Sequence, residues 1–176
     1  MDKYDVLKLE NQLCFPLYAV AKEITRAYQP YLEPLNLTYT QYITMMVLWE
    51  HKEISVKELG NSLYLDSGTL TPLLKKMEQK SWIRRIRSKE DERSVLIQLT
   101  GQGEALKEEA VKVPAAVSAC VNINPEEAKQ LYHILHHLLQ SSWVHKNNAK
   151  RREVISPFHI MIILLLQILL PNQENQ

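Results

Sequence analysis

The chain has 176 residues, of which 45% are apolar and 23% charged, with a net charge of +1. That length holds one domain with a proper core, or one domain plus an appendage, and the composition excludes a chain disordered throughout. Two cysteines exclude a disulfide scaffold, and a start without a basic n-region or apolar h-region reads as cytoplasmic, with reduced thiols.

In chain order, Cys14, Leu17, Tyr18, Ala21, Ile24 and Tyr28 lie on one helical face, and Gln29-Pro30 predicts the end of that helix. Glu33-Pro34 punctuates the next connection, and a second helix is predicted from Thr40 to Glu50. Ser55 with Glu58 reads as a capping box for a third helix. Asp66 reads as the cap of a fourth, "DSGTLTPLLKKMEQK", whose apolar face carries Leu70, Leu73, Leu74 and Met77. Two short helices joined by a tight turn, the second basic, predict a helix-turn-helix. Trp82 to Arg87 and Ser94 to Thr100 read as strands, and the charged loop "SKEDER" between them makes the pair a wing.

Beyond the wing, Glu104 to Val113 is predicted helical up to Pro114. A last helix starts at Asn124 as cap, with Pro125 at its first position and Glu127 at the box position. Leu131, Ile134, Leu135, Leu138 and Leu139 give it an apolar stripe broad enough to bury against a partner. His133 and His137 have a zinc-compatible spacing, but no third ligand lies nearby, so they and His136 read as a solvent-facing row and no metal is expected. From 142 onward a basic stretch precedes an apolar run, Ile160 to Leu170, broken by Gln167. The run falls short of the roughly 20 residues of a membrane span. An extra packed or interfacial helix is the first reading, a poorly ordered appendage the second and a membrane anchor the third. A shifted reading frame past the natural end would also produce such a tail.

From Ser67 to Lys89 seven basic residues face one acid, Glu78. A basic segment in a near-neutral chain marks a local anion site, here double-stranded DNA. Ser67, Thr69 and Thr71 lie where a helix in the major groove meets base edges, and Lys75 and Lys76 are placed for phosphate or base contacts. Asp91 and Arg93, two apart in the wing, could point the same way, the acid holding the guanidinium for a minor groove.

"DSGTLTPLLKKMEQKSWIRRIRSKEDERSVLIQLT" resembles the winged helix of the MarR family, whose wing reads D-x-R-S followed by L-T at the strand end. "LCFPLYA", "LTYTQYITMMVLWE" and "LYLDSGTLTPLLKKME" resemble more narrowly its organic-hydroperoxide-sensing branch, OhrR. The resemblance spans about residues 5 to 141; nothing carries over to the tail. It implies a mainly α chain with a β-hairpin wing, without enzymatic activity or cofactor. Its parts would be an N-terminal dimerisation helix with the sensor cysteine (1–35), a winged helix-turn-helix (36–101), C-terminal dimerisation helices (102–141) and an atypical tail (142–176). The implied function is a homodimeric repressor that leaves a pseudo-palindromic operator when an organic hydroperoxide oxidises its cysteine. The alternative is control by a small aromatic ligand. A thiol peroxidase fits poorly, since no Thr or Arg closely precedes Cys14 and no βαβ pattern exists.

Cys14 lies just before Pro16, a residue tolerated in a first turn, which places the thiol where the helix dipole favours negative charge. Tyr18, Tyr28, Tyr39 and Tyr42 offer phenols; the resemblance picks out Tyr28 and Tyr39 as the thiolate's hydrogen-bond donors. On one straight helix Cys14 and Tyr28 would be ~21 Å apart, so they cannot meet within one chain unless the helix breaks; a dimer with antiparallel first helices would bring them together, as the resemblance also implies. The resemblance also gives Cys120 a role, resolving oxidised Cys14 as an intersubunit disulfide; the alternative is an external thiol.

Overall fold

The computed structural model describes residues 2–88, 91 and 94–141. Two 3-10 turns, Asp5–Leu7 and Leu9–Asn11, lead into α1, Cys14–Ala27. α1 ends at Ala27 with Tyr28 as its cap, at the Gln29-Pro30 boundary as expected, and Pro30 sits in the first turn of a further short helix, α2, Gln29–Leu32. The first turn is where a missing N–H costs nothing. The path turns at Asn36, whose φ of 56° is left-handed, a conformation asparagine tolerates.

α3, Tyr39–His51, starts one residue before its predicted start, because Thr38 and Gln41 form a capping box. It is the central helix: Tyr42, Met45, Val47, Leu48 and Trp49 are buried along it. α4, Val56–Leu63, carries the predicted Ser55/Glu58 box, and α5, Ser67–Gln79, is capped by Asp66. Leu59, Leu70, Leu74 and Met77 close the core between these helices.

The wing strands are β2, Ile83–Arg87, and β3, Val95–Leu99, paired antiparallel from Ile83 opposite Leu99 to Arg87 opposite Val95. A third strand, β1, Glu53–Ser55, was not foreseen. It pairs antiparallel with β3, giving the order β1-β3-β2 and setting Ile54 against the fully buried Ile97. Three residues are too few for an alternation to register in sequence. The result is a mainly helical winged helix with a small antiparallel sheet.

After the sheet come α6, Gly101–Ala105, α7, Lys107–Ala110, and α8, Val113–Ser118. Pro114 was expected to end a helix; it stands instead in the first turn of α8, for the same reason as Pro30. α8 buries Val113 and Val117, and it packs against α2. α9, Pro125–Gln140, opens with the predicted Asn124/Glu127 box. Neither α1 nor α9 contains a buried residue.

No helix among the described residues is long and apolar enough to cross a membrane. The tail from 142 onward and the tip residues Lys89, Glu90, Glu92 and Arg93 lie outside the described residues.

Candidate functional site

Two groups of residues carry chemistry, one at the ends of α1 and one on α5 and the wing. Cys14 is the first residue of α1, exposed and unbridged. Its neighbours Leu13, Phe15, Leu17 and Tyr18 are exposed as well, so within one chain this thiol is not part of a core.

The opposite end of α1 is built from phenols. Tyr28 is 4% exposed, and its ring meets Tyr39 edge-on at 4.9 Å and Tyr42 at 5.8 Å between centroids. Burial, with the neighbouring Tyr39 phenol adding to it, pushes the Tyr28 phenol up to about 12. Burial likewise raises Tyr39, and it raises Tyr42 with help from both neighbours. All three therefore stay protonated at neutral pH, the state in which a phenol donates a hydrogen bond to an anion.

Three residues beyond Tyr28, on the same helical side, Tyr31 places its hydroxyl 3.5 Å from the Cys120 sulfur. The Cys120 hydrogen bond raises the Tyr31 phenol. Cys120 follows α8, is exposed, and also contacts the Ala116 carbonyl at 3.5 Å. The structure thus gathers Tyr28, Tyr39 and Cys120 at one end of the α1–α2 path and leaves Cys14 at the other, ~21 Å away along the helix. Tyr31 was not singled out from sequence. The signal was its spacing of three from Tyr28, but nothing local ties it to Cys120, 89 residues away.

On α5, Ser67, Thr69, Thr71, Lys75 and Lys76 are all exposed, on one continuous helix. Two of these hydroxyls already have local work. Thr69 donates its Oγ1–H to Asp66 at 3.1 Å, and Thr71 donates to the Ser67 carbonyl at 2.7 Å. Each keeps its oxygen as an acceptor. Asp66 also accepts the Thr69 N–H, and these bonds hold its carboxyl below the usual carboxylate range.

Two of the basic residues serve the fold. Arg85 closes a 2.6 Å ion pair on Glu78, tying β2 to α5, and Lys80 donates to Asn36. Lys75, Lys76, Arg84 and Arg87 remain exposed as the positive surface. Asp91 accepts a hydrogen bond from the Ser94 hydroxyl at 2.7 Å, so its carboxylate helps close the wing. The expected pairing of Asp91 with Arg93 lies outside the described residues. Among those residues no group of three or more His, Cys, Asp or Glu side chains could hold a metal ion. On α9 the His136 ring lies 4.0 Å from that of Tyr132.

The family of transcriptional regulators SarA/Rot matches over residues 26–110. The organic hydroperoxide resistance transcriptional regulator of Bacillus subtilis is 52% identical over 147 residues, 84% of this chain and 99% of that protein. Among solved structures, reduced AbfR bound to DNA superposes with a TM-score of 0.65 at 34% identity, over 78% of this chain and 96% of that one. AbfR, a protein of Staphylococcus epidermidis, has also been solved in a disulfide form, with a TM-score of 0.55 at 35% identity, over 78% of this chain and 97% of that one. A variant of MarR from E. coli, complexed with operator DNA, gives 0.68 at 25% identity, over 79% of this chain and 99% of that one. With this fold and a relative more than half identical over almost its whole length, the chain belongs to the MarR family of winged-helix transcriptional regulators, in the branch of the organic hydroperoxide resistance regulators.

Proposed function

We propose that the chain is a homodimeric DNA-binding repressor that senses organic hydroperoxides through Cys14 and then releases its operator. The observation that carries the reading is the split of the sensor across α1: the thiol begins the helix, and the phenols and Cys120 gather at its other end. Antiparallel pairing of two α1 helices brings the partner subunit's Cys14 to Tyr28, Tyr39 and Cys120. The exposed apolar side chains of α1 and α9, among them Val20, Ile134 and Leu138, supply the surface for that pairing.

The Cys14 thiolate attacks the terminal oxygen of the hydroperoxide. A sulfur–oxygen bond forms, the O–O bond breaks, and the alkoxide leaves and takes up a proton as the alcohol. Sulfur is oxidised to the sulfenic acid, and the hydroperoxide is reduced. The partner subunit's Cys120 then attacks that sulfur as thiolate; the S–S bond forms, the S–O bond breaks, and the oxygen departs with two protons as water. AbfR, with reduced and disulfide forms, supports such a thiol cycle in this fold. Displacement of Tyr28 and Tyr39 would then shift the helices that carry the two wings.

DNA recognition falls to α5 in the major groove, through Ser67, Thr69, Thr71, Lys75 and Lys76, with Asp91 and Arg93 of the wing toward the minor groove. Two α5 helices about 34 Å apart fit half-sites one helical turn apart. A nearly complete switch requires a differential of about 5.5 kcal/mol between the two dimer geometries.

The test is binding to the DNA upstream of its own gene, before and after stoichiometric organic hydroperoxide, in wild type, Cys14→Ser and Cys120→Ser, with non-reducing gels alongside. The reading requires release by wild type but not by Cys14→Ser, and a dimer-sized crosslink that needs Cys120. Unchanged binding by fully oxidised wild type sinks it. A Cys14→Ser protein that still releases DNA with a small aromatic ligand would favour ligand control.

A further inference from the structure

Trp82 occupies the junction between α5 and the wing, 4% exposed, one residue before β2 begins. Its N–H donates to the Met77 carbonyl at 3.2 Å, tying it to α5. Its carbonyl accepts both the N–H of Thr100 at 3.1 Å and the Thr100 hydroxyl at 2.9 Å, tying it to the far end of the hairpin. Any displacement of Trp82 therefore moves the recognition helix and the wing together.

Two chains of contact run from the tyrosine cluster to this residue. The first passes through Lys80. Its ammonium donates to the Asn36 carbonyl at 2.6 Å and to Asn36 Oδ1 at 3.1 Å, and it lies 4.5 Å from the centre of the Trp82 ring. Asn36 ends the turn that leads into Tyr39, the first residue of α3. The second passes through Trp49. Tyr28 packs on Tyr42 at 5.8 Å and Tyr42 on Trp49 at 6.4 Å between centroids. The Trp49 indole N–H donates to the Gly103 carbonyl at 2.9 Å. Gly103 in turn lies so close to Trp82 that a Cβ there would come within 2.2 Å of the Trp82 carbonyl oxygen.

We infer that Lys80 and Trp49 are positioning residues of the redox response, which together make the recognition helix and wing follow the tyrosine cluster through Trp82. The inference rests on the peroxide-sensing reading above and adds to it the residues that transmit the signal. Neither residue belongs to the reacting group. Lys80 follows the C-terminal end of α5, away from Ser67, Thr69 and Thr71, and Trp49 is buried. Losing either tie leaves the oxidation chemistry intact and weakens the coupling between the cluster and the wing. Each tie is a bond that one substitution removes at small cost in volume. Lys80→Met keeps the stem and removes the donors, and Trp49→Phe keeps an aromatic ring and removes the N–H.

The experiment compares full-length wild type, Cys14→Ser, Lys80→Met, Lys80→Arg and Trp49→Phe, each reduced and each oxidised with tert-butyl hydroperoxide. Mass spectrometry follows the oxidation state of Cys14, and a fluorescent duplex of the chain's own upstream DNA reports affinity. The quantity read is the ratio of oxidised to reduced Kd, in which the lost charge of Lys80→Met cancels. Oxidation of Cys14 should proceed as in wild type in all but Cys14→Ser. The ratio should fall about 10-fold in Lys80→Met and in Trp49→Phe, within the range typical of coupling energies. Lys80→Arg, which restores donors for Asn36, should recover most of the wild-type ratio, a rescue that a role in general stability would not predict.

Wild-type ratios in both Lys80→Met and a folded Trp49→Phe overturn the inference and leave the sensing reading standing. Should Trp49→Phe fail to fold, the Lys80 pair decides alone. A wild type that keeps its DNA with Cys14 fully oxidised overturns the sensing reading and this inference together.

Discussion

Tyr28 is a buried phenol that its surroundings hold in the protonated form. Its raised pKa keeps the proton on the phenol at any pH a cell meets. In the proposed dimer Tyr28→Phe removes a bond to the partner subunit's thiolate and should slow Cys14 oxidation at pH 7 about 10-fold, given what a hydrogen bond to a charged group contributes. Stopped-flow oxidation with a thiol probe measures this, and an unchanged rate would rule Tyr28 out as the donor. The same shift has a consequence for stability. The unfolded phenol titrates near 10 and the folded one near 12, so between those values the unfolded state binds fewer protons. Stability is full below pH 10 and falls as pH rises towards 12. Urea midpoints at pH 9, 10, 11 and 12 should decline through that window, and a flat series would contradict the buried cluster. Gly103 makes a second residue-scale case: Gly103→Ala forces a Cβ against the Trp82 carbonyl and should cost about 1–3 kcal/mol, read as a drop in Tm.

Among the elements, caps decide where helices begin. Thr38 and Gln41, Ser55 and Glu58, and Asn124 and Glu127 each satisfy otherwise orphaned N–H groups reciprocally. Thr38→Ala should destabilise the fold by about 1 kcal/mol, visible as a shifted denaturant midpoint with an unchanged m-value. A change in m would mean that the α2–α3 turn itself had rearranged. β1 shows why the sheet has three strands. β3 presents Ile97 at its centre, and the backbone after α3 passes close enough to pair with it and cover that edge. On the other side the Glu78–Arg85 ion pair fastens β2 to α5. One basic residue is thereby withdrawn from the positive surface in order to aim the rest. Lys75→Ala should weaken operator binding across sequences and lower the salt slope by about 1, as loss of a phosphate contact does. An unchanged slope would move Lys75 from phosphate to base recognition.

At the scale of the whole molecule, the winged helix has a closed core, whereas the first and last helices have none. Ile134 is 58% exposed and Val20 52%, and neither α1 nor α9 buries a residue. In the proposed dimer these faces cover one another. Ile134→Asp should then dissociate the dimer in sedimentation experiments and abolish operator binding while leaving the Trp82 junction folded. A variant that remains dimeric would exclude α9 from the interface. Sequence alone determined the helix-turn-helix followed by the wing strands, the Ser55, Asp66 and Asn124 caps and the basic character of α5, because periodicity and capping chemistry are local rules. Pro114 opens a new helix where a stop was expected, a choice that local rules leave open, whereas β1 exists because the distant β3 is there to pair with. The meeting of Tyr31 with Cys120 and the convergence of Lys80, Trp49 and Gly103 on Trp82 were likewise decided only in the tertiary structure. Such contacts join residues far apart in the chain, and packing in three dimensions selects them.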